Sequence, residues 1–153
     1  RIRLSNGFGR PMTYEAADWR TLTSDLCRQA VLEKRMEMRT DGLQERNFIT
    51  KTDIARAVHH LIALPKTYAS NGLFNLGGSK SQTLHAMANM IQERAQNKFG
   101  VEIPLHRPEP TATQTQHLNF DIHKILNTGF TLTENAVDEV DEFLDMIELH
   151  HQS

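Results

Sequence analysis

The chain has 153 residues, 39% of them hydrophobic and 24% charged, the composition of a globular protein with one core of moderate size. Its formal net charge is −2, with Lys and Arg spread along the chain. The basic stripe that draws in nucleic acid is therefore missing, and no nucleic-acid partner is expected.

A single cysteine, Cys27, excludes a disulfide framework or a thiolate zinc cluster. No apolar run approaches the roughly 18–20 residues of a membrane span, so we expect a cytoplasmic protein without a membrane partner. The chain opens at RIRLSN with no initiator Met, and we read it as a piece of something longer.

Ile2 and Leu4 alternate with Arg1, Arg3 and Ser5, which predicts a short strand ended by Gly7, Gly9 and Pro11. Leu22, Leu26, Ala30 and Val31 recur at helical spacing and predict a helix from Trp19 to Lys34 with Asp18 as N-cap. Met36 to Arg39 is a candidate strand stopped by Asp41-Gly42, and Phe48-Ile49 is a second. Thr52 or Asp53 then caps a helix with Ile54, Ala57, Val58, Leu61, Ile62 and Leu64 on one face, and Pro65 stops it.

GLFNLGG, Gly72 to Gly78, reads as a brief strand flanked by glycines. Ser81 or Thr83 caps the next helix, with Leu84, Met87, Ala88, Ile91 and Ala95 inward and Gly100 as its stop. EIPLH is a further strand, and the stretch from Pro108 to Gln116 reads as a loop. Asp121 caps a short helix ending near Gly129, and Thr133 starts a last one with Val137, Val140, Leu144 and Ile147 inward. Its outer face carries Glu134, Asp138, Glu139, Asp141, Glu142, Asp145 and Glu148 and reads as solvated.

Eight histidines do not make a metal site, because the neighbours His59-His60 and His150-His151 point about 100° apart on a helix and no set of four ligands is completed. GxSxG, GxGxxG and GxxxxGK[ST] are all absent, and Cys27 on an apolar helix face reads as a small core residue. What remains is a set of polar and cationic residues at element ends: Asn6, Arg39, Arg46 and Arg107. An Arg fork matches phosphate oxygens two at a time, and an Asn amide adds a donor without charge.

Four stretches in order, RLSNGFGRP, GLQERNFITKTDIARAVHHLI, GLFNLGG and LNFDIHKILNTGF, give the chain its resemblance to a known family. It resembles the carboxyl-terminal half of the extended short-chain dehydrogenase/reductases, the NAD-dependent nucleotide-sugar epimerases and dehydratases, over nearly its whole length. Relatives show R-x-x-N-x-Y-G-P, R-D-F-x-x-V-x-D-x-A-R-A, Y-N-x-G-G and D-x-S-K-x-x-x-x-L-G-[WF] in that order. Here Asn47 stands for the usual Asp, Thr50-Lys51-Thr52 for a more apolar stretch, and Phe8 for a common Tyr.

The resemblance implies an α/β fold, α+β within this chain: the last part of a Rossmann-type domain followed by the small mixed substrate-binding domain. Residues 1–153 would form the carboxyl-terminal substrate-binding region, with 1–7 a strand of the cofactor-binding sheet. It implies that Asn6 and Arg46 contact the diphosphate of a nucleoside-diphosphate sugar, with Arg107 as a second phosphate arginine. By alignment alone, Thr21 and Leu22 fall at a helix start touching the phosphates, and Met38 and Arg39 in the base pocket. Leu4 and Ser5 would approach the nicotinamide of NAD or NADP, a cofactor held mainly by upstream residues.

In the family the glycine-rich turn, the catalytic serine and the Tyr-x-x-x-Lys pair precede the R-x-x-N strand, and no Tyr-x-x-x-Lys occurs at Tyr14 or Tyr68. The first expectation is therefore the substrate-binding part of an epimerase, dehydratase or reductase, with no catalytic residue of its own. Two alternatives stand beside it: a stand-alone nucleotide-sugar-binding module, and an interaction domain using the acidic last helix. A strand separated from its parallel sheet would leave an apolar edge exposed, through which a homodimer is expected to form.

Overall fold

The computed structural model describes residues 1–68, 72–110 and 117–152. In chain order the elements are β1 (Ile2–Leu4), β2 (Asn6–Phe8), α1 (Leu22–Leu32), β3 (Met36–Glu37), β4 (Glu45–Thr50) and α2 (Lys51–Ala63). They continue with β5 (Phe74–Leu76), β6 (Ser81–Thr83), α3 (Leu84–Phe99), β7 (Leu105–His106), α4 (His123–Leu126) and α5 (Ala136–Gln152). The loop expected from Pro108 to Gln116 lies partly outside the described residues.

Three small sheets carry these strands. β1 pairs in parallel with β5, β3 in parallel with β7, and β4 sits between β2, parallel to it, and β6, antiparallel to it. Mostly parallel pairing with helical crossovers is the α/β arrangement expected from the sequence. Ile2 and Leu4 on β1 are 42% and 46% exposed, so the apolar strand expected to lie open does so.

Several boundaries differ from expectation, each for a local reason. The glycines after Asn6 do not end the strand region: after a break at Ser5 the chain re-pairs as β2, Asn6 opposite Phe48 and Phe8 opposite Thr50. α1 starts at Leu22, not Trp19, because Asp18 turns back on its own neighbours. Its carboxylate accepts the Arg20 amide at 3.1 Å and its carbonyl the Thr21 amide at 3.2 Å, which keeps this segment out of the helix.

β4 is longer than Phe48-Ile49 and runs straight into α2. The cap of α2 is Thr50, whose hydroxyl accepts the Asp53 amide at 3.1 Å, rather than Thr52 or Asp53. Val58 and Ile62 point outward, Ile62 being 80% exposed, while Ala57 is fully buried. Thr83 does cap α3 and Gly100 does end it in the left-handed conformation. β6, just before that cap, has no counterpart in the sequence reading. α4 begins one residue after Ile122, although Asp121 still accepts the His123 amide at 2.8 Å.

α5 begins at Ala136 rather than Thr133, since the amides of Thr133 and Glu134 are turned toward Asp53. Val137 lies outward, and Glu139, expected on the acidic outer face, is buried. Two further members of that face are paired: Asp141 takes both guanidinium donors of Arg94, and Asp145 takes Lys98.

The buried side chains form two clusters. One gathers α1, α3 and α5 around Leu26, Met87, Ile91, Phe143 and Ile147. The other gathers β4, α2, β5 and α4 around Ile49, Ala57, Leu76 and Ile125. β4 lies between them, with Ile49 in the second and Phe48 packed against the first, as alternation along a strand requires.

Candidate anion site on the central strand

Arg46 is the second residue of β4 and lies opposite Gln82 of β6. Its side chain is exposed, and its guanidinium hydrogen bonds go to neutral oxygens: Nη1 to the Glu45 carbonyl at 2.9 Å and Nη2 to the Gln44 side-chain oxygen at 3.0 Å. Its charge is therefore held in place by neutral acceptors, with no ion pair to it among the described residues. A cavity of about 320 Å³ nearby is lined by Phe48, Thr50, Lys80 and Gln82 together with the acidic residues Asp53 and Glu134, and Asn6, Arg46 and Arg107 are not among its lining residues.

Asn6 is brought to the same strand. Its Nδ2 donates to the Asn47 carbonyl at 3.0 Å, which ties the end of β2 to the residue after Arg46. Asn47 in turn is buried and holds Gly78 through both amide functions, Nδ2 to the Gly78 carbonyl at 3.0 Å and Oδ1 from the Gly78 amide at 2.9 Å. The glycine pair is required there, because a Cβ at Gly78 would stand 2.2 Å from the Phe48 carbonyl oxygen.

Arg107 follows β7 and donates to the Asp41 carbonyl at 2.6 Å. The same turn meets the start of α3, where the His85 amide donates to the Gly42 carbonyl at 2.9 Å and Leu84 to Gln44 at 3.1 Å. Gln44 links this turn to Arg46, since its amide reaches the Thr40 hydroxyl at 3.4 Å while its oxygen accepts from Arg46. Arg107 is therefore hydrogen-bonded to the same segment, residues 40–46, that carries Arg46. Burial, and secondarily the charge of Arg107, hold the His85 imidazole below its ordinary pKa.

The remaining expected residues divide. Thr21 occupies the N-cap position of α1, but its hydroxyl bonds the Asp18 carbonyl and the Ser24 hydroxyl rather than a helix amide. Leu22 packs against the first core cluster. Met38 is buried core, its amide donating to the His106 carbonyl at 2.8 Å. Arg39 is exposed and lines a polar recess with Asp25, Arg28 and Glu37. Leu4 and Ser5 end β1. The Ser5 hydroxyl oxygen is shielded from solvent and has no hydrogen-bond partner among the described residues.

Sequence reading noted Asn47 only as a departure from the usual Asp and Glu139 only as one acid on the outer face of the last helix, and it did not single out His85. The glycine pair at Gly77-Gly78 signalled a close backbone approach without showing that Asn47 is what approaches it. Among the described residues no three His, Cys, Asp or Glu side chains gather to hold a metal ion, and no helix is long and apolar enough to cross a membrane.

The profile of the NAD dependent epimerase/dehydratase family matches residues 1–77, which hold β1, β2, β4, α2, β5 and both Asn6 and Arg46. The chain belongs to that family. No curated protein sequence matches it. Among solved structures it is similar to the UDP-glucose 4-epimerase of Thermotoga maritima with UDP-glucose, at 14% identity and a TM-score of 0.70, over 98% of this chain and 46% of that one.

A variant of the UDP-glucuronic acid 4-epimerase of Bacillus cereus, in complex with NAD and a fluorinated UDP-glucuronic acid, is 18% identical with a TM-score of 0.73. The match covers 97% of this chain and 45% of that one. RMD from Pseudomonas aeruginosa, complexed with NADPH, is 16% identical with a TM-score of 0.72, over 97% and 47% of the two chains. At such identities these relatives establish the α/β fold, and this epimerase/dehydratase chain spans less than half the length of each.

Proposed function

We propose that this chain forms the nucleotide-sugar-binding portion of an NAD- or NADP-dependent epimerase, dehydratase or reductase. The observation that carries the reading is the state of Arg46: an exposed guanidinium oriented by two neutral acceptors, one residue from the carbonyl that holds Asn6. A diphosphate would supply the counter-charge that Arg46 lacks among the described residues, and Asn6 adds a neutral donor beside it. Arg107, hydrogen-bonded to the same segment, would reach a second phosphate or the nucleoside.

The nicotinamide cofactor, when bound, supplies the hydride acceptor and donor. Toward it the chain offers the end of β1, where Leu4 gives an apolar surface, followed by Ser5, whose hydroxyl has no partner among the described residues. The tyrosine and lysine that move the proton in this family have no counterpart at Tyr14 or Tyr68, so the role of these residues is binding and orientation rather than proton transfer. The exposed β1 supports the further proposal that two copies associate through it. Three of the seven acids available to the acidic-helix alternative, Glu139, Asp141 and Asp145, are engaged within the fold, which favours the binding reading over it.

Titration of the protein with UDP tests the reading. Binding that is lost in Arg46→Ala, with the fold unchanged, supports it. Equal affinity of wild type and Arg46→Ala removes Arg46 from the site.

A further inference from the structure

Three basic side chains gather around one turn. Arg107 donates to the Asp41 carbonyl at 2.6 Å, and the backbone amide of His85 donates to the carbonyl of the next residue, Gly42, at 2.9 Å. A Cβ at Gly42 would stand 3.1 Å from the His85 Cβ, so the His85 side chain is rooted directly against the turn. Arg46 reaches the same turn through Gln44, whose side-chain oxygen accepts from the guanidinium and whose backbone carbonyl accepts the amide of Leu84, the residue before His85. The His85 ring is half-buried and has no hydrogen-bond or ion-pair partner among the described residues. We propose that His85 is a further binding residue of the anion site: a diphosphate seated on Arg46 and Arg107 draws a proton from solution onto its imidazole, which then faces the phosphates as a third cation. The proposal rests on the nucleotide-sugar reading of those two arginines.

The electrostatics of the turn give this uptake its direction. In the free protein, burial and then the charge of Arg107 disfavour the imidazolium, so His85 is neutral above the ordinary histidine range. A diphosphate brings negative charge to the same place, offsets the Arg107 repulsion and favours the imidazolium. The other ionisable groups on the elements around the first turn of α3 are Asp41 in the turn, Glu45 on β4, Glu37 and Arg39 on and after β3, Lys80 ahead of β6, His106 on β7 and Glu109 beyond it. Arg107 is the charge that acts on the His85 ring. A group that gains a proton on binding makes binding tighter as pH falls, because proton and ligand each favour the other.

The test titrates UDP-glucose calorimetrically between about pH 5.5 and pH 8 in two buffers of different ionisation enthalpy, which counts the protons taken up on binding. Both phosphates of this probe are esterified, so the ligand itself does not titrate in that range. We expect wild type to take up protons and to bind about three- to tenfold more tightly at the acidic end. His85→Gln, verified as folded by circular dichroism, should bind at the weaker level throughout without that uptake. In proton NMR the His85 ring should titrate at higher pH in the complex than in the free protein. A His85 that only packs against the turn leaves proton uptake the same in His85→Gln as in wild type, and that result overturns the proposal, as does a His85 titration unmoved by UDP-glucose. Wild-type protein that fails to bind UDP-glucose overturns this proposal together with the reading beneath it, whereas wild-type binding without proton uptake, lost in Arg46→Ala, overturns this one alone.

Discussion

The carboxylate of Glu139 on α5 accepts the backbone amide of Thr52 in the first turn of α2 at 2.8 Å. The next amide, that of Asp53, goes to the Thr50 hydroxyl at 3.1 Å. Two of the free donors at one helix start are therefore met, one locally and one by a residue 87 positions on. Glu139 belongs to the helix that builds the first core cluster and α2 to the second, so this bond joins the two. Burial lowers the pKa of the adjacent Lys51 while attraction to Glu139 opposes that shift. Gly9 completes the contact, since a Cβ there would fall 1.8 Å from the Glu139 carboxylate.

Replacing Glu139 tests that junction. Glu139→Ala leaves the Thr52 amide without its acceptor and removes a negative charge from the positive end of a helix, for a cost of about 1–3 kcal/mol. Glu139→Gln keeps an acceptor and should cost less. Urea denaturation followed by circular dichroism separates the two; equal stability of Glu139→Ala and wild type would mean the bond contributes nothing.

Asp53 ties the other end of the same junction. Burial by itself would raise its pKa, but the backbone amide of Thr133, the Arg56 guanidinium and the Glu134 amide outweigh burial and hold the carboxyl below its ordinary value of 3.8. A lowered folded-state pKa means that the unfolded chain takes up the proton first on acidification. The stabilisation is thus complete above the ordinary aspartate range and is lost as pH falls through the folded value. Acid titration of wild type should show this loss, and Asp53→Asn, expected to be about 1–3 kcal/mol less stable near neutral pH, should show a shallower acid dependence.

Periodicity and capping residues exposed the helices of the sequence well, and the strands less so. Thr83 and Gly100 bracket α3 as read because both act within one turn of their own helix. Thr50 was missed as the cap of α2 because it is also the last residue of β4, a strand whose length is set by partners far along the chain. Val58 and Ile62 fit a helical stripe, but the elements packed on α2 cover only the side holding Ala57. Glu139 looked like one more acid on a charged face, and nothing local marks it as the partner of Thr52. Of the proposed site residues, motif order singled out Arg46 and Asn6, which the structure brings to the same strand, whereas Met38, placed by alignment in a base pocket, is buried in the core.

The two glycines Gly78 and Gly100 should respond differently to alanine. At Gly100 nothing lies within 4 Å of an added Cβ, so Gly100→Ala carries only the strain of a φ of +64°, about 1 kcal/mol. At Gly78 the Cβ meets backbone oxygen, which can yield only by moving β4. Gly78→Ala should therefore destabilise more than Gly100→Ala in thermal melts and should also weaken UDP binding. The reverse order would show that the Gly78 loop relaxes freely.

Cys27 offers a check on the first core cluster. The thiol is buried among apolar side chains, and burial pushes its pKa up to about 12. Neither thiolate nor access is available in the folded protein near pH 8. A disulfide reagent such as Ellman's should therefore react only when the protein unfolds, at a rate that follows denaturant. Fast stoichiometric labelling without denaturant would place Cys27 outside the core.

Arg46 and Arg107 are predicted to separate binding from stability. The Arg46 guanidinium is exposed and bonded to its own strand neighbours, so Arg46→Ala removes charge at little structural cost, within about 0.5 kcal/mol. Arg107 is half-buried and its guanidinium spans from β7 to the Asp41 carbonyl, 66 positions away in sequence, so Arg107→Ala should cost about 1–3 kcal/mol as well as any binding energy. It should also relieve the repulsion that, after burial, lowers the His85 pKa, and the His85 ring should then titrate at higher pH. Thermal melts, UDP titration and histidine proton shifts on both variants test these three expectations together. A large loss of stability in Arg46→Ala would contradict its role as a ligand-facing cation, because a residue held for the fold has to be bonded to something other than its own neighbours.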